Sequence, residues 1–221
     1  MAIGEIKELP KSWAMIGGDG PESYTQNSSY QKGVVDASME MVDDGIMEKL
    51  DLKSRGFEST NDTFRIADFG CSVGPNTVFA VENIMKAVEH KHHAQFNNSA
   101  ALSGFQVFFN DVATNDFNTL FKALHSNEKY FSAGVPGTFF GRLLPRSTLH
   151  FAQSSYCLHW LSKVPKEVLD SESAAWNKGS LQCDGLKKEV TKAYSAQFQS
   201  DMSTFLKASK ERNRLDRDML E

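Results

Sequence analysis

The part of this sequence best suited to binding a ligand is a glycine-containing turn between an apolar run and a helical pattern. Residues 64–68 form the apolar run, and the turn that follows carries Gly70, Gly74 and Asn76. Apolar residues recur at helical spacing across residues 78–88, which predicts a helix. A strand, a glycine turn and a helix in this order direct backbone N–H groups and a helix N-terminus at a ligand. We expect a Cβ at either glycine to intrude on that ligand, although packing alone is the other explanation for such glycines.

A carboxylate follows the next predicted strand. Residues 105–109 predict that strand, and Asn110 and Asp111 come directly after it. An acidic side chain at this position is placed to accept hydrogen bonds from both ribose hydroxyls of an adenosine. The alternative is a carboxylate that caps a helix or braces a loop, and the residues alone leave both open.

Two further loops follow predicted strands and belong to the same end of the sheet. One is the turn at residues 136–141, after a strand at 130–135. The other is the polar and aromatic stretch at 155–160, after a strand at 148–154. Because the carboxyl ends of parallel strands share one edge, the four loops should meet there, which favours a ligand site over packing alone.

Helices and one long loop must hold these turns in place. The helices are predicted over residues 28–50, 78–88, 117–124 and 186–210, with a loop over 165–185. The helix at 117–124 has apolar residues at i, i+3, i+4 and i+7, and either Asn115 or Asp116 can cap it. Alternating strands and helices predict an α/β fold with a parallel sheet, and a ligand site at the switch point of that sheet.

Three histidines mark the predicted end of the second helix. His90, His92 and His93 stand before a polar run, so we expect a helix end and an exposed loop. Three histidines in four residues can bind a metal ion, but neither a cysteine nor a carboxylate lies suitably close in the sequence.

The composition excludes several classes of function. The chain has 221 residues, a net charge of −4 and 40% hydrophobic residues, which argues against general binding to nucleic acid or to anionic membranes. No apolar run approaches the ~20 residues of a membrane span, and no secretory signal is visible. Three cysteines without a CxxC pair are typical of a reduced, cytoplasmic protein.

Five blocks of this sequence, in order, resemble the plant SABATH methyltransferases. The blocks are residues 16–31, 66–77, 108–121, 134–143 and 154–162, and the resemblance extends over residues 13–210. It implies a Rossmann-like class I methyltransferase sheet with flanking helices. It also implies methyl transfer from S-adenosylmethionine to the carboxylate of a small plant metabolite or hormone. Some branches of the family instead methylate ring nitrogens of xanthine-type substrates.

The resemblance also implies roles for individual residues. Gln31 and Trp160 would hold the substrate carboxylate, with Tyr156 and His159 shaping the pocket. Asn177 matches a position where some members have a magnesium ligand. The residues implied to bind S-adenosylmethionine are Tyr24, Ser28, Asp68, Gly70, Cys71, Asn76, Asp111, Val112, Thr138, Phe139, Ser154 and Ser155.

The chemistry of that reaction fits these residue types. A carboxylic acid with a pKa near ~4 is already ionised at neutral pH, so we expect no catalytic acid or base. Catalysis then consists of aligning the carboxylate oxygen with the methyl carbon and the sulfonium sulfur. A glutamine amide and an indole N–H orient a carboxylate without stabilising the charge that is lost in the transition state. Core packing is the other explanation for Tyr156 and Trp160, and a core position is one of those open for His159.

The sequence departs from the family pattern in two places and in length. Thr138 and Cys157 each replace a usual serine, and family members run well beyond 221 residues. We therefore expect a truncated chain: an active-site segment at 1–27, a partial cofactor-binding domain at 28–210 and a divergent charged tail at 211–221. The later strands and the helical cap would be missing, which predicts poor solubility or weak activity. The alternative is a non-catalytic remnant that binds cofactor or pairs with a full-length relative, and the resemblance also implies a homodimer.

Overall fold

The computed structural model describes residues 14–57, 63–96, 102–124, 129–177 and 187–212, and these residues form four strands and six helices. The strands are β1 (Phe64–Phe69), β2 (Phe105–Asp111), β3 (Phe131–Pro136) and β4 (Phe151–Gln153). The helices are α1 (Tyr24–Asn27), α2 (Ser29–Lys49), α3 (Pro75–Phe96), α4 (Phe117–Leu124), α5 (Lys166–Leu169) and α6 (Lys188–Arg212).

The strands form one parallel sheet in the order β3-β2-β1-β4. The chain moves outward from β1 to β3 and then returns to the other side of β1 for β4. The switch point of the sheet therefore lies between β1 and β4, where Asp68 pairs with Gln153. This arrangement confirms the predicted α/β fold. A ligand site at the switch point would lie beyond the carboxyl ends of β1 and β4.

The two faces of β1 bury their side chains in different clusters. Ile66 packs in a core cluster with Ile46 of α2 and Val81 of α3. Ala67 and Phe69 belong to a second cluster that includes Phe205 of α6. Because both faces are covered, five of the six residues of β1 are buried instead of every second one, as is usual for a central parallel strand.

The structure corrects the prediction for the histidine segment. Helix α3 continues to Phe96, so His90, His92 and His93 lie on the helix and not in an exposed loop. His92 is buried and packs against Phe96 with ring centroids 4.6 Å apart, which extends the buried face of the helix by two turns. Burial lowers the pKa of His92, as expected for an imidazole held in the core.

Three other element boundaries differ from the sequence predictions. Strand β4 has three residues because Thr148 is held in a turn by its hydroxyl, which donates to the Pro145 carbonyl. Helix α5 occupies part of the predicted loop at 165–185. Helix α6 ends at Arg212, two residues into the predicted charged tail. In the described ranges no helix is both long and apolar enough to span a membrane.

Candidate active site

A cleft opens at the carboxyl ends of β1 and β4, at the switch point. Eight residues singled out from the sequence line it, and four that sequence reasoning missed join them. The predicted residues are Tyr24, Gln31, Asp68, Gly70, Cys71, Asn76, Ser155 and Tyr156, and the others are Val35, Thr77, Ala80 and Gln153. The structure therefore brings together side chains from α1, α2, β1, α3 and the segment after β4.

Asp68 supplies a buried carboxylate at the base of this cleft. The Thr77 hydroxyl donates to its Oδ2, and the Gln153 amide lies 3.5 Å from its Oδ1. Burial raises the pKa of Asp68 to about 6, against the two hydrogen bonds, which lower it. At neutral pH the carboxylate is therefore ionised, and the cleft has a negative charge at its base that favours a cationic ligand.

The turn after β1 is held by its own backbone and by neighbouring side chains. The amides of Gly70 and Cys71 both donate to the Asn110 carbonyl, at 2.8 and 3.0 Å. Gly70 has a φ of +80°, and a Cβ there would lie 2.4 Å from the Cys157 Sγ. A Cβ on Gly74 would lie 3.2 Å from the Thr25 hydroxyl. Both Cβ atoms would therefore meet protein atoms, as the packing explanation requires, and their intrusion on a ligand stays a prediction.

Asp111 braces the same turn from the end of β2. Its Oδ2 accepts from the Ser72 amide and its Oδ1 accepts from the Val112 amide, both at 2.7 Å. The loop-bracing role that the sequence left open is thus present. This role leaves acceptor positions on the Asp111 carboxylate unused, because a carboxylate has about four of them and this one is partly exposed. Burial raises the pKa of Asp111 as well.

The beginning of α3 is joined to the N-terminal helices by polar contacts. The Asn76 amide donates to the Ser28 carbonyl at 3.0 Å, and the Tyr24 hydroxyl is hydrogen-bonded to Asn76. Burial raises the pKa of Tyr24, so this phenol stays protonated at neutral pH. Tyr24, Ser28 and Asn76 therefore form one connected group on the α3 side of the cleft.

Thr138 and Phe139 lie beside Asp111 rather than on the wall of the cleft. The Gly137 amide donates to the Asp111 carbonyl at 2.8 Å, which fixes where this turn begins. Thr138 is exposed, and the Phe139 ring packs against Phe205 with centroids 5.9 Å apart. Val112, next to Asp111, is also partly exposed on this side. The Phe139 ring also lies near Gly70, since its Cε1 would be 3.8 Å from a Cβ there.

Ser154 and Cys157 hold the segment after β4 against β1. The hydroxyl and the thiol both donate to the Phe69 carbonyl, at 3.1 and 3.0 Å, and lie 2.8 Å from each other. Burial raises the pKa of the Cys157 thiol to about 12, so it is not a thiolate nucleophile at neutral pH. These contacts assign both side chains to positioning the segment, and neither lines the cleft.

On either side of Cys157 the chain presents three rings to solvent, those of Tyr156, His159 and Trp160. Tyr156 and Trp160 are 45% and 44% exposed, and His159 lies between them. Tyr156 has a φ of +54°, an uncommon backbone conformation for an aromatic residue and one often associated with functional sites. Core packing therefore does not explain these three side chains.

Gln31 is the one cleft residue from α2 with a buried polar atom that has no hydrogen-bond partner among the described residues. That atom is its Oε1. Since buried polar atoms in folded proteins nearly always have a partner, an unpartnered amide in a cleft indicates that a ligand supplies one. Which end of the amide faces the ligand depends on the assigned orientation of the group.

The magnesium prediction at Asn177 is not supported by the described residues. Its backbone amide donates to the Val168 carbonyl at 3.2 Å, after α5 and away from the cleft. Across the described ranges no three His, Cys, Asp or Glu side chains are grouped as a metal site. Among the described residues no set of magnesium ligands is grouped around Asn177, and no step below uses a magnesium ion.

Asn110, Asn115 and Asp116 hold the loops around the cleft in place. The sequence predicted only that Asn115 or Asp116 caps α4. The Asn110 amide donates to the carbonyls of Val135 and Gly137, joining the ends of β2 and β3. Asp116 caps α4 by accepting from the Thr119 amide, whereas Asn115 donates to the Ser72 carbonyl. The sequence allowed either residue as the cap, and only the path of the turn decides between them.

Known proteins resemble this chain over most of its length. The family model for SAM-dependent carboxyl methyltransferases matches residues 10–214. Loganic acid O-methyltransferase from Catharanthus roseus is 50% identical over 207 residues, 92% of this chain and 55% of that protein. Farnesoic acid carboxyl-O-methyltransferase from Arabidopsis thaliana is 49% identical and is covered to 55%. Paraxanthine methyltransferase 2 from the same plant is 45% identical and is covered to 56%.

A solved structure agrees with these relatives. Loganic acid methyltransferase with SAH superposes with a TM-score of 0.84 at 49% identity, covering 90% of this chain and 55% of that one. The chain thus spans about half the length of the curated relatives it matches, as expected from the sequence.

Proposed function

The chain belongs to the SAM-dependent carboxyl methyltransferase family, and on that premise we propose that it acts in methyl transfer from S-adenosylmethionine to the carboxylate of a small organic acid. The observation that carries the proposal is the cleft itself. It is lined by the ionised, buried Asp68 and by Gln31, whose buried Oε1 has no partner among the described residues; with the amide flipped, the same position holds the Nε2 donor that a carboxylate needs. One side therefore suits a cationic donor, and the other suits a polar group that needs an orienting amide.

The donor side would be held by residues at the ends of β1, β2 and β3. Asp111 has acceptor positions left for the two ribose hydroxyls after it has bound the Ser72 and Val112 amides. The Thr77 hydroxyl and the Gln153 amide that contact Asp68 are both neutral, so neither compensates its negative charge. When bound, S-adenosylmethionine supplies a methyl group on a cationic sulfonium. The remaining proposed contacts are Tyr24, Ser28, Gly70, Cys71, Asn76, Val112, Thr138, Phe139, Ser154 and Ser155.

Ser154 is the weakest member of that set. Its hydroxyl is already committed to the Phe69 carbonyl and the Cys157 thiol, so we assign it to positioning Ser155, which does line the cleft.

The acceptor side would be formed by Gln31, Trp160 and the rings near them. A carboxylic acid is ionised at neutral pH, so its oxygen is a nucleophile without any general base. Gln31 and Trp160 are neutral donors that can orient a carboxylate without stabilising its charge. This suits a reaction in which the substrate charge disappears in the transition state. Tyr156 and His159 would contact the body of the acid.

Methyl transfer with a radiolabelled donor tests this proposal. The purified chain is incubated with labelled S-adenosylmethionine and a panel of plant acids, with xanthine-type bases as the comparison acceptors. Label extracted as a methyl ester from an acid, and absent from the bases, is the expected result. Label transferred to ring nitrogens alone, or a folded chain that neither binds S-adenosylhomocysteine nor labels any acid, would overturn it.

Two predictions about the setting of the enzyme accompany the proposal. Buried, unpaired Cys71 and Cys157 are consistent with a reducing, cytoplasmic location. A homodimer is implied by the family resemblance. Cell fractionation tests the first, and light scattering of the purified chain at several concentrations tests the second.

A further inference from the structure

Four aromatic side chains form a continuous row at the mouth of the cleft. The centroids of Tyr156 and His159 are 5.0 Å apart, and those of His159 and Trp160 are 5.9 Å apart. The fourth ring is Tyr30 of α2, which meets Tyr156 edge to face with centroids 5.5 Å apart. The row therefore joins the segment after β4 to a different element of the fold, the first turns of α2.

Tyr30 is exposed, although tyrosine side chains are usually at least partly buried, and it directly precedes Gln31. It has 68% of its surface exposed, although it touches Tyr156. Exposed aromatic rings close to a polar anchor are typical of ligand sites, because they supply a large apolar surface at a small cost in side-chain entropy. The order along the row is Tyr30, Tyr156, His159 and Trp160, so Tyr30 and Trp160 are its two ends.

The apolar surface continues from Tyr30 along α2. Val34, Ala37 and Met41 follow Tyr30 at helical spacing, and these four residues line a shallow groove. Met41 is 71% exposed, so this face of α2 has no covering element among the described residues. A molecule anchored at Gln31 that extends past Tyr156 would reach this groove through the ring of Tyr30.

We propose that Tyr30 is a specificity-determining residue that contacts the apolar body of long acceptor acids. The inference rests on the proposed function, because it places the acid carboxylate at Gln31 and Trp160. Acids with a short body end at Tyr156 and do not reach Tyr30. Acids with a long apolar body extend beyond Tyr156, and the Tyr30 ring then covers part of that body.

A length series of acids tests this proposal by binding rather than turnover. Straight-chain saturated carboxylic acids of increasing length are titrated into the full chain saturated with S-adenosylhomocysteine. The variants are Tyr30→Ala, Tyr30→Phe and Phe131→Ala. Phe131 is the matched control, because it is also 68% exposed and lies at the beginning of edge strand β3. Thermal unfolding and the affinity for S-adenosylhomocysteine are recorded for each variant.

The expected result depends on the length of the acid. Tyr30→Ala should weaken the longest acids by about tenfold and the shortest by less than about twofold, while Tyr30→Phe and Phe131→Ala resemble the parent chain. A Tyr30→Ala loss that is equal for all lengths would assign Tyr30 to supporting Tyr156 and would overturn the proposal. So would acid binding that is unaffected, or absent at every length, in a chain that still binds S-adenosylhomocysteine. A chain that binds neither ligand would instead count against the proposed function.

Discussion

The two sides of the cleft are built in opposite ways. On the donor side, the main polar side chains are hydrogen-bonded within the protein: Asp68 to Thr77, Asp111 to the Ser72 amide, and Asn76 to the Ser28 carbonyl. Among the described residues, two buried atoms on this side have no partner, namely Ser72 Oγ and Asn110 Oδ1. On the acceptor side, exposed rings form a row beside the unpartnered amide atom of Gln31. The donor side is therefore organised before a ligand arrives, and the acceptor side gains its partners from the ligand.

This difference leads us to expect that substitutions are tolerated less well on the donor side than on the acceptor side. The donor contacts are tied to the ends of three strands, so a change there disturbs the sheet as well as the ligand. The acceptor rings are attached to one turn and to one face of α2, so a change there alters which acid fits and leaves the fold intact. The relatives are named for acceptors as different as loganic acid and paraxanthine.

The most damaging change expected on the donor side is Gly70→Ala. It adds a Cβ 2.4 Å from the Cys157 Sγ at a φ of +80°. A left-handed alanine and a forced contact together should lower the free energy of unfolding by about 4 kcal/mol and abolish binding of S-adenosylhomocysteine. Urea unfolding and calorimetric titration measure the two effects. Gly56→Ala is the control, because Gly56 has a φ of +81° with no atom within 4 Å of the added Cβ, and should cost about 1–2 kcal/mol. Equal effects from the two variants would show that Cys157 does not crowd Gly70.

The second prediction concerns the pH dependence set by Asp68. Its pKa in the folded chain is raised from 3.8 to about 6, so the folded state binds the proton more tightly than the unfolded state does. Asp68 therefore costs stability as the pH rises from 4 through 6, by up to about 3 kcal/mol above pH 7. Asp68→Asn should remove that cost, so the variant should gain free energy of unfolding relative to the parent as the pH rises. It should also bind S-adenosylmethionine more weakly, because the negative charge is gone.

Urea unfolding of both chains at pH 4 to 8 makes this measurement, and the difference between them isolates Asp68 from the other carboxylates. A difference that does not change with pH would contradict the buried, ionised carboxylate at the base of the cleft.

A smaller effect is expected from Asp111→Asn. An amide has one oxygen, so either the Ser72 or the Val112 amide loses its acceptor, which should cost about 1–2 kcal/mol of stability. The affinity for S-adenosylhomocysteine should fall at least about tenfold, since the ribose also loses an acceptor. Asp43→Asn is the control, because Asp43 accepts from the Asn83 amide between α2 and α3, away from the cleft. Unchanged affinity in Asp111→Asn would reduce Asp111 to a loop brace.

The smallest effect on the fold is expected on the acceptor side, from Trp160→Phe. The indole is 44% exposed, so stability should change by less than about 0.5 kcal/mol. Acid binding should weaken by about five- to tenfold because the N–H donor to the carboxylate is lost, while binding of S-adenosylhomocysteine stays the same. Competition titration with one acid measures both. If acid affinity is retained, Trp160 does not hold the carboxylate, and the two sides of the cleft are less distinct than proposed.

Much of the donor side could be predicted from the sequence because its residues lie directly after strands. Asp68, Gly70 and Asp111 each follow or end an apolar run, and a parallel sheet brings such positions to one edge. The partners of these residues could not be predicted in the same way. Whether Thr77 or a neighbour reaches Asp68, or whether Cys157 contacts Gly70, depends on the path of the chain in three dimensions.

The errors in element boundaries have a similar cause. The histidine segment is polar in sequence, yet tertiary packing buries His92 against Phe96 and extends α3. Tyr30 gave no sequence signal because a single tyrosine on a helix is normal on any surface. Only its contact with Tyr156, more than a hundred positions away in the chain, connects it with the proposed site.

Calorimetric titration of the purified chain with S-adenosylhomocysteine tests whether the described residues already form an organised donor site. We expect saturable binding of one ligand per chain, weakened by Asp111→Asn and unchanged by Asp43→Asn and Trp160→Phe. A chain that unfolds cooperatively, and is therefore folded, but shows no binding would contradict it.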